Sequence, residues 1–193
     1  AFEVLLNRAR ALLDLRHFED ALSDYDAVLA ISPDHVEALN DRGNILRSLK
    51  RYEEALASFN KALAIRPGLT ETLVNRGVTL SELRCQEEAL ADYDAVLAVK
   101  PDSAPALNNR GFTLRALGQL ENALADYDKA LDIQPDYPAA FNNRAKLLCE
   151  MDRIREGFAD FRRAAAIVQH AAPTKLISGE AQHKTRHDRE QNE

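Results

Sequence analysis

Asn7, Asp41, Asn75, Asn109 and Asn143 stand 34 residues apart. A side-chain amide both donates and accepts hydrogen bonds. A row of four amides and one carboxylate can therefore hold a polypeptide at its own backbone amides, without regard to side chains. The same row can instead bond within the molecule and tie neighbouring helices together, and the sequence leaves both readings open. Other chemistry is sparse. There is no Gly-rich phosphate loop, no GxSxG and no HExxH. His183 and His187 have a helical metal-ligand spacing, but no Cys or carboxylate completes a set. They read as part of a solvated tail. Pairs such as Glu87-Glu88 read as helix-start charges rather than an acid/base pair. Cys85 and Cys149 have no disulfide or metal spacing and read as ordinary thiols of a reducing, cytoplasmic compartment. The expectation is a non-enzymatic chain with no cofactor and no metal.

Composition narrows the class. The net charge is -6, and 29% of residues are charged. That balance fits a soluble, mildly acidic protein and lacks the basic excess of a nucleic-acid binder. No apolar run approaches the length of a membrane span, so neither nucleic acid nor membrane is an expected partner. Gly is scarce at 7, Trp is absent, and Ala and Leu are plentiful, which favours helix.

The elements that must carry the amide row follow from the period. Leu107 to Pro135 superposes on Leu73 to Pro101, Leu39 to Pro67 and Leu5 to Pro33 at successive shifts of 34. Self-similarity at a fixed period signals a stacked repeat architecture. Numbering each copy from Phe2, Val36, Thr70, Ala104 and Pro138 gives repeats 2–35, 36–69, 70–103, 104–137 and 138–171. Position 4 is Leu or Phe, position 8 Gly or Ala, and position 11 Leu. Position 20 is Ala or Gly, position 24 Tyr or Phe, and position 27 Val or Ala. Positions 4, 8 and 11 share one helical stripe, as do 20, 24 and 27, so each copy reads as two amphipathic helices. Gly118 marks the turn between them in the fourth copy. Pro33, Pro67, Pro101 and Pro135 end the second helix. The fifth copy departs, with Ala145 at position 8, Gly157 at position 20 and Gln169 in place of proline.

Small residues at 8, 20 and 27, an aromatic at 24 and proline at 32, at period 34, resemble the tetratricopeptide repeat. The phrasing NNRG and ADYDKAL also looks like the long bacterial arrays related to O-linked N-acetylglucosamine transferase repeat domains. The resemblance implies an all-α fold, a right-handed α-solenoid of five helix-turn-helix repeats. Residues 172–193 would add a C-terminal capping helix bearing Leu176 and Ile177, or a tail.

In that family the first helices line a concave groove, mostly through positions 2, 5, 6, 9, 12 and 13. Carried onto this sequence, the peptide-binding candidates at position 6 are Asn7, Asp41, Asn75, Asn109 and Asn143. At positions 5 and 9 they are Asn44, Asn108, Asn142, Val74, Val78, Phe112 and Lys146, and at position 12 Arg115. The resemblance to the transferase arrays implies that the asparagine row holds extended polypeptide. Val74, Val78 and Phe112 would form an apolar pocket, with Arg115 and Lys146 receiving acidic groups. The basic clamp used for chaperone tails is absent, because Val74 and Val78 stand where its cations belong. The leading expectation is a scaffold that binds a protein or peptide in the groove. Two alternatives are the substrate-recruiting portion of a glycosyltransferase-like enzyme and a self-assembling protein that associates through its array ends or tail. Arg8, Arg42, Arg76, Arg110 and Arg144, at position 7, are read as a structural ladder to acids of the second helices.

Overall fold

The structure is a computed structural model that describes residues 2–171. The capping segment or tail at 172–193, with Leu176, Ile177, His183 and His187, lies outside the described residues. Those that are described form ten α-helices: α1 (Phe2–Asp14), α2 (Phe18–Ile31), α3 (Val36–Ser48), α4 (Tyr52–Ile65), α5 (Thr70–Glu82), α6 (Gln86–Val99), α7 (Ala104–Ala116), α8 (Leu120–Ile133), α9 (Pro138–Glu150) and α10 (Ile154–Ala171). Each helix packs on the one before and the one after, giving an all-α repeat solenoid. α3, α5, α7 and α9 also approach one another directly, which successive second helices do not do to the same extent. The first helices therefore lie on the inside of the curve.

The crossing within each repeat is set by size. In α5 and α7 a Cβ on Gly77 or Gly111 would sit 2.8 Å from the ring of Tyr93 or Tyr127. The missing Cβ lets those rings lie directly against the first helix. The rings and the facing Ala55, Ala89 and Ala123 are fully or almost fully buried. In the fifth copy the small pair is exchanged. Ala145 occupies the first helix and Gly157 the second, and a Cβ on Gly157 would meet the Ala145 carbonyl oxygen at 2.9 Å. One member of the pair lacks a Cβ in each of the last four copies, so the departure seen in the sequence keeps the close crossing.

Turns and stops repeat as well. First helices end in a left-handed residue: Arg16, Lys50, Arg84, Gly118 and Asp152, with φ between 60° and 75°. The next N–H bonds back to the core leucine carbonyl, as in His17 to Leu12 at 2.9 Å and Arg51 to Leu46 at 2.8 Å. This Schellman closure satisfies carbonyls at the helix end, and four non-glycine residues bear its conformational cost. The second helices α2, α4, α6 and α8 stop two residues before their prolines, and the intervening cap residues have left helical geometry. α10, with Gln169 instead, runs 18 residues against 14 for α8.

A Cβ at Gly118 would meet nothing within 4 Å, so its only role is conformational. Gly118→Ala is expected to lower stability by about 1 kcal/mol, and Lys50→Gly to raise it. Urea unfolding midpoints of the two variants check both signs.

Candidate functional site

The inner face is built from one side of α1, α3, α5, α7 and α9, and the structure divides the amides there into two kinds. Asn40 and Asn108 are buried, at 8% and 4% exposure. The Asn40 Oδ1 accepts from the Thr72 hydroxyl at 3.0 Å and from the Asn75 amide at 3.2 Å, and its own amide donates to Glu71 at 3.3 Å. The Asn108 Oδ1 accepts from Asn143 at 3.0 Å, and its amide donates to Asn109 at 3.3 Å. Two of the four junctions are therefore tied by an asparagine that bonds the next asparagine one repeat plus one residue along. Where position 5 is Leu6 or Val74 no such bond forms, and the following Asp41 and Asn109 find other partners. Asp41 accepts from the Tyr25 hydroxyl at 2.9 Å. Asn109 accepts from Asn108, and its own amide N–H groups have no partner among the described residues.

These bonds correct the groove inferred from sequence. Asn108 is a junction residue, because its burial and its two bonds leave nothing to offer a ligand. Val74 is half-buried and packs against two apolar clusters, one of its own repeat with Leu80 and Tyr93 and one that joins repeats through Leu63, Leu73 and Ala106. It is therefore a wall of the core more than of a pocket. Arg115 is not a vacant cation. It donates to Glu150 through Nε at 2.8 Å, a pair that bridges α7 and α9, and it holds the Glu150 carboxyl below its ordinary range. What stays accessible is Asn7, Arg10, Phe112 and Lys146, which are exposed, with Asp41, Asn44, Asn75, Val78, Asn109, Asn142 and Asn143 half-buried. Phe112 is 47% exposed, unusual for so large an apolar side chain.

A cleft of about 210 Å³ opens at the N-terminal end of this face, lined by Arg10, Asn40, Asp41, Glu71 and Thr72 among others. Glu71 and Thr72 were not singled out in the sequence. The signal that could have found them is the offset of about one repeat from Asn40. Burial, reinforced by the Glu71 charge, pushes the Asp41 carboxyl above its usual range, against the opposing Tyr25 hydrogen bond and Arg10 charge. A larger hollow of about 450 Å³ lies on the flank, between Asp94, Arg110 and Asp126. Its charged walls already satisfy one another, so it is a weaker ligand site than the smaller cleft.

The arginine row forms a second seam on that flank. Arg8, Arg76, Arg110 and Arg144 each grip the position-23 aspartate of their own repeat with two nitrogens, for example Arg110 to Asp126 at 2.7 Å twice. A third nitrogen of Arg76, Arg110 and Arg144 reaches the preceding repeat, at Asn60, Asp94 and Asp128. Arg42, facing Ser58, divides its bonds between Asp26 and that hydroxyl. The aspartates gripped are buried, at 4 to 7% exposure, so this is a semi-buried network rather than a set of exposed pairs. Tyr93 is fully enclosed, and burial pushes its hydroxyl up to about 12. Among the described residues no three His, Cys, Asp or Glu side chains converge as a metal site requires, and no helix is long and apolar enough to cross a membrane.

Two family models match the chain, a tetratricopeptide repeat model over residues 6–70 and a TPR repeat model over residues 113–152. The chain belongs to the tetratricopeptide repeat family. Its repeats are similar in fold to several solved structures. PilW, titled a widely conserved type IV pilus biogenesis factor, has a TM-score of 0.81 at 25% identity, over 87% of this chain and 78% of that one. MamA from Desulfovibrio magneticus RS-1 has a TM-score of 0.77 at 22% identity, over 89% and 97%. YrrB, titled a TPR protein with an unusual peptide-binding site, has a TM-score of 0.66 at 22% identity, over 86% of each chain. No curated protein sequence matches. Within the tetratricopeptide frame, the arrangement can bridge repeats through amides and arginines while leaving a few unsatisfied groups on the inner face.

Asp41→Asn tests the electrostatics of that face. A carboxyl whose folded pKa is raised stabilises the fold at low pH, and that contribution is lost as pH rises through the folded value. The amide variant is expected to melt higher than wild type at pH 7. The difference should close below about pH 4, where the aspartate is protonated in both states. Thermal melts across that range check the sign.

Proposed function

We propose that this chain is a non-catalytic protein-interaction scaffold that holds an extended segment of a partner along its inner face. The observation that carries this reading is on α7. There the Asn109 amide has N–H groups without a partner among the described residues, one turn from the exposed Phe112. An amide with open donors can hold a backbone carbonyl of the partner, and an exposed aromatic beside it can take an apolar side chain. Asn75 and Asn143 donate to their neighbours but keep Oδ1 open, and so accept from backbone N–H groups. Asn142, Asn44, Asn7 and Asp41 extend the row, and Val78 flanks Phe112 one repeat away. Lys146 carries the preference for an acidic group, because Arg115 is held by Glu150. The similarity to YrrB, a structure titled for its peptide-binding site, supports a peptide as ligand.

A peptide array probed with wild type, Asn109→Ala and Phe112→Ala checks the assignment. Loss of one neutral hydrogen bond is worth about 0.5–1.5 kcal/mol, so Asn109→Ala should weaken binding by roughly two- to tenfold. Phe112→Ala should weaken it at least as much, and both variants should keep the wild-type melting midpoint. Asn108→Ala should instead lose stability. Equal binding by wild type and both groove variants would refute the reading.

A further inference from the structure

Among the described residues, the last second helix leaves uncovered a face that in each earlier second helix is packed against the next repeat. Leu22, Leu56, Leu90 and Leu124 share one register and are buried or half-buried at the repeat junctions. Leu22 packs in one cluster with Ile45 and Leu46 of α3, and Leu124 in one with Leu147 of α9. In α10 that register is Phe158, 61% exposed. Ile154, at the register of the half-buried Phe18 and Leu120, is 42% exposed. Ala165 takes the place of Leu29, Leu63, Leu97 and Leu131 and is exposed as well. Ile154, Phe158 and Ala165 fall on one stripe of the helix, shaped to receive a further first helix.

The polar part of the junction says what that helix must carry. At the internal junctions a residue of the second helix receives the arginine of the next first helix. Asp26 receives Arg42 at 2.7 Å, Asn60 receives Arg76 at 2.8 Å, Asp94 receives Arg110 at 2.6 Å and Asp128 receives Arg144 at 2.6 Å. On α10 this register holds Arg162, exposed and with no ionic partner among the described residues. The nearby Asp160 is already taken on both oxygens by Arg144. A copy of this chain stacked end to end would bring Arg8 to Arg162, two like charges where every internal junction has a charge and an acceptor. A helix with a carboxylate there would restore the pairing with its polarity reversed.

We propose that the open face of α10 docks an amphipathic helix of a partner protein, packed as a sixth first helix. Its apolar residues would cover Ile154, Phe158 and Ala165, and an Asp or Glu at the ladder position would pair with Arg162. This site is separate from the inner face, and neither reading depends on the other.

The test uses two labelled synthetic peptides spanning residues 103–117, one with Arg110 kept and one with Arg110→Glu, titrated into the full chain by fluorescence anisotropy. The Glu form is expected to bind roughly five- to tenfold more tightly than the Arg form, as one charge pair gained in place of a repulsion allows. Arg162→Glu should reverse that order while leaving the helical circular dichroism unchanged, and Phe158→Asp should abolish binding of both. Equal affinity of the two peptides, or no reversal, would overturn the proposal. So would two other outcomes. Binding only to a chain shortened at residue 171 would assign the face to the chain's own C-terminal residues. Concentration-dependent association of wild type that Phe158→Asp removes would assign it to a second copy.

Discussion

The close crossing of the two helices within a repeat is the contact on which the rest depends. A ring from the second helix lies against a first helix that has no Cβ at Gly77 or Gly111. That contact brings the helices near enough for the position-7 arginine to reach the position-23 aspartate of the same repeat. It also leaves the arginine's remaining nitrogen pointing at the previous repeat. Spacing the helices further apart with a larger residue would loosen the apolar core and unpair buried carboxylates together. The exchange of Ala145 and Gly157 shows how strongly the geometry constrains composition: the small residue changes helix, but the crossing stays small.

The repeats are joined by two polar seams on opposite sides of that apolar crossing. On the flank the arginines connect second helices to the next first helix. On the inner face amides tie one first helix to the next first helix, but only where position 5 is itself an asparagine. The inner seam is therefore intermittent. At the junction into α7, where Val74 replaces the amide, Asn109 is released from inter-repeat duty and Phe112 stands beside it. Open binding capacity on this face follows from a gap in the structural bonding, not from the presence of asparagine as such.

Much of the fold was legible from residues alone. The 34-residue period set the helices, the small and aromatic positions named the core, and the missing proline at Gln169 agrees with the longer α10. The turn was only partly visible, because Gly118 announces a left-handed residue while Arg16, Lys50, Arg84 and Asp152 adopt the same geometry without advertising it. The candidate site was harder to read. Register tells which stripe a side chain occupies, not whether a neighbour one repeat away comes within bonding distance. Asn108 and Asn109 are adjacent and chemically identical, yet one is sealed in a junction and the other is not. Arg115 looked vacant because its partner Glu150 lies 35 residues on.

The inner face thus combines a few amides that keep open hydrogen-bonding groups with one exposed aromatic side chain, and the proposed scaffold would use them to hold extended polypeptide with limited sequence specificity. The most direct measurement replaces, one at a time, the backbone amides of the tightest array peptide with esters, which removes an N–H donor and weakens the carbonyl acceptor at each position. If asparagines hold the backbone, affinity should fall several-fold at a small number of adjacent positions, and part of that pattern should vanish in Asn109→Ala. Uniform affinity across all ester positions, with losses only from side-chain replacement, would contradict a backbone-holding inner face.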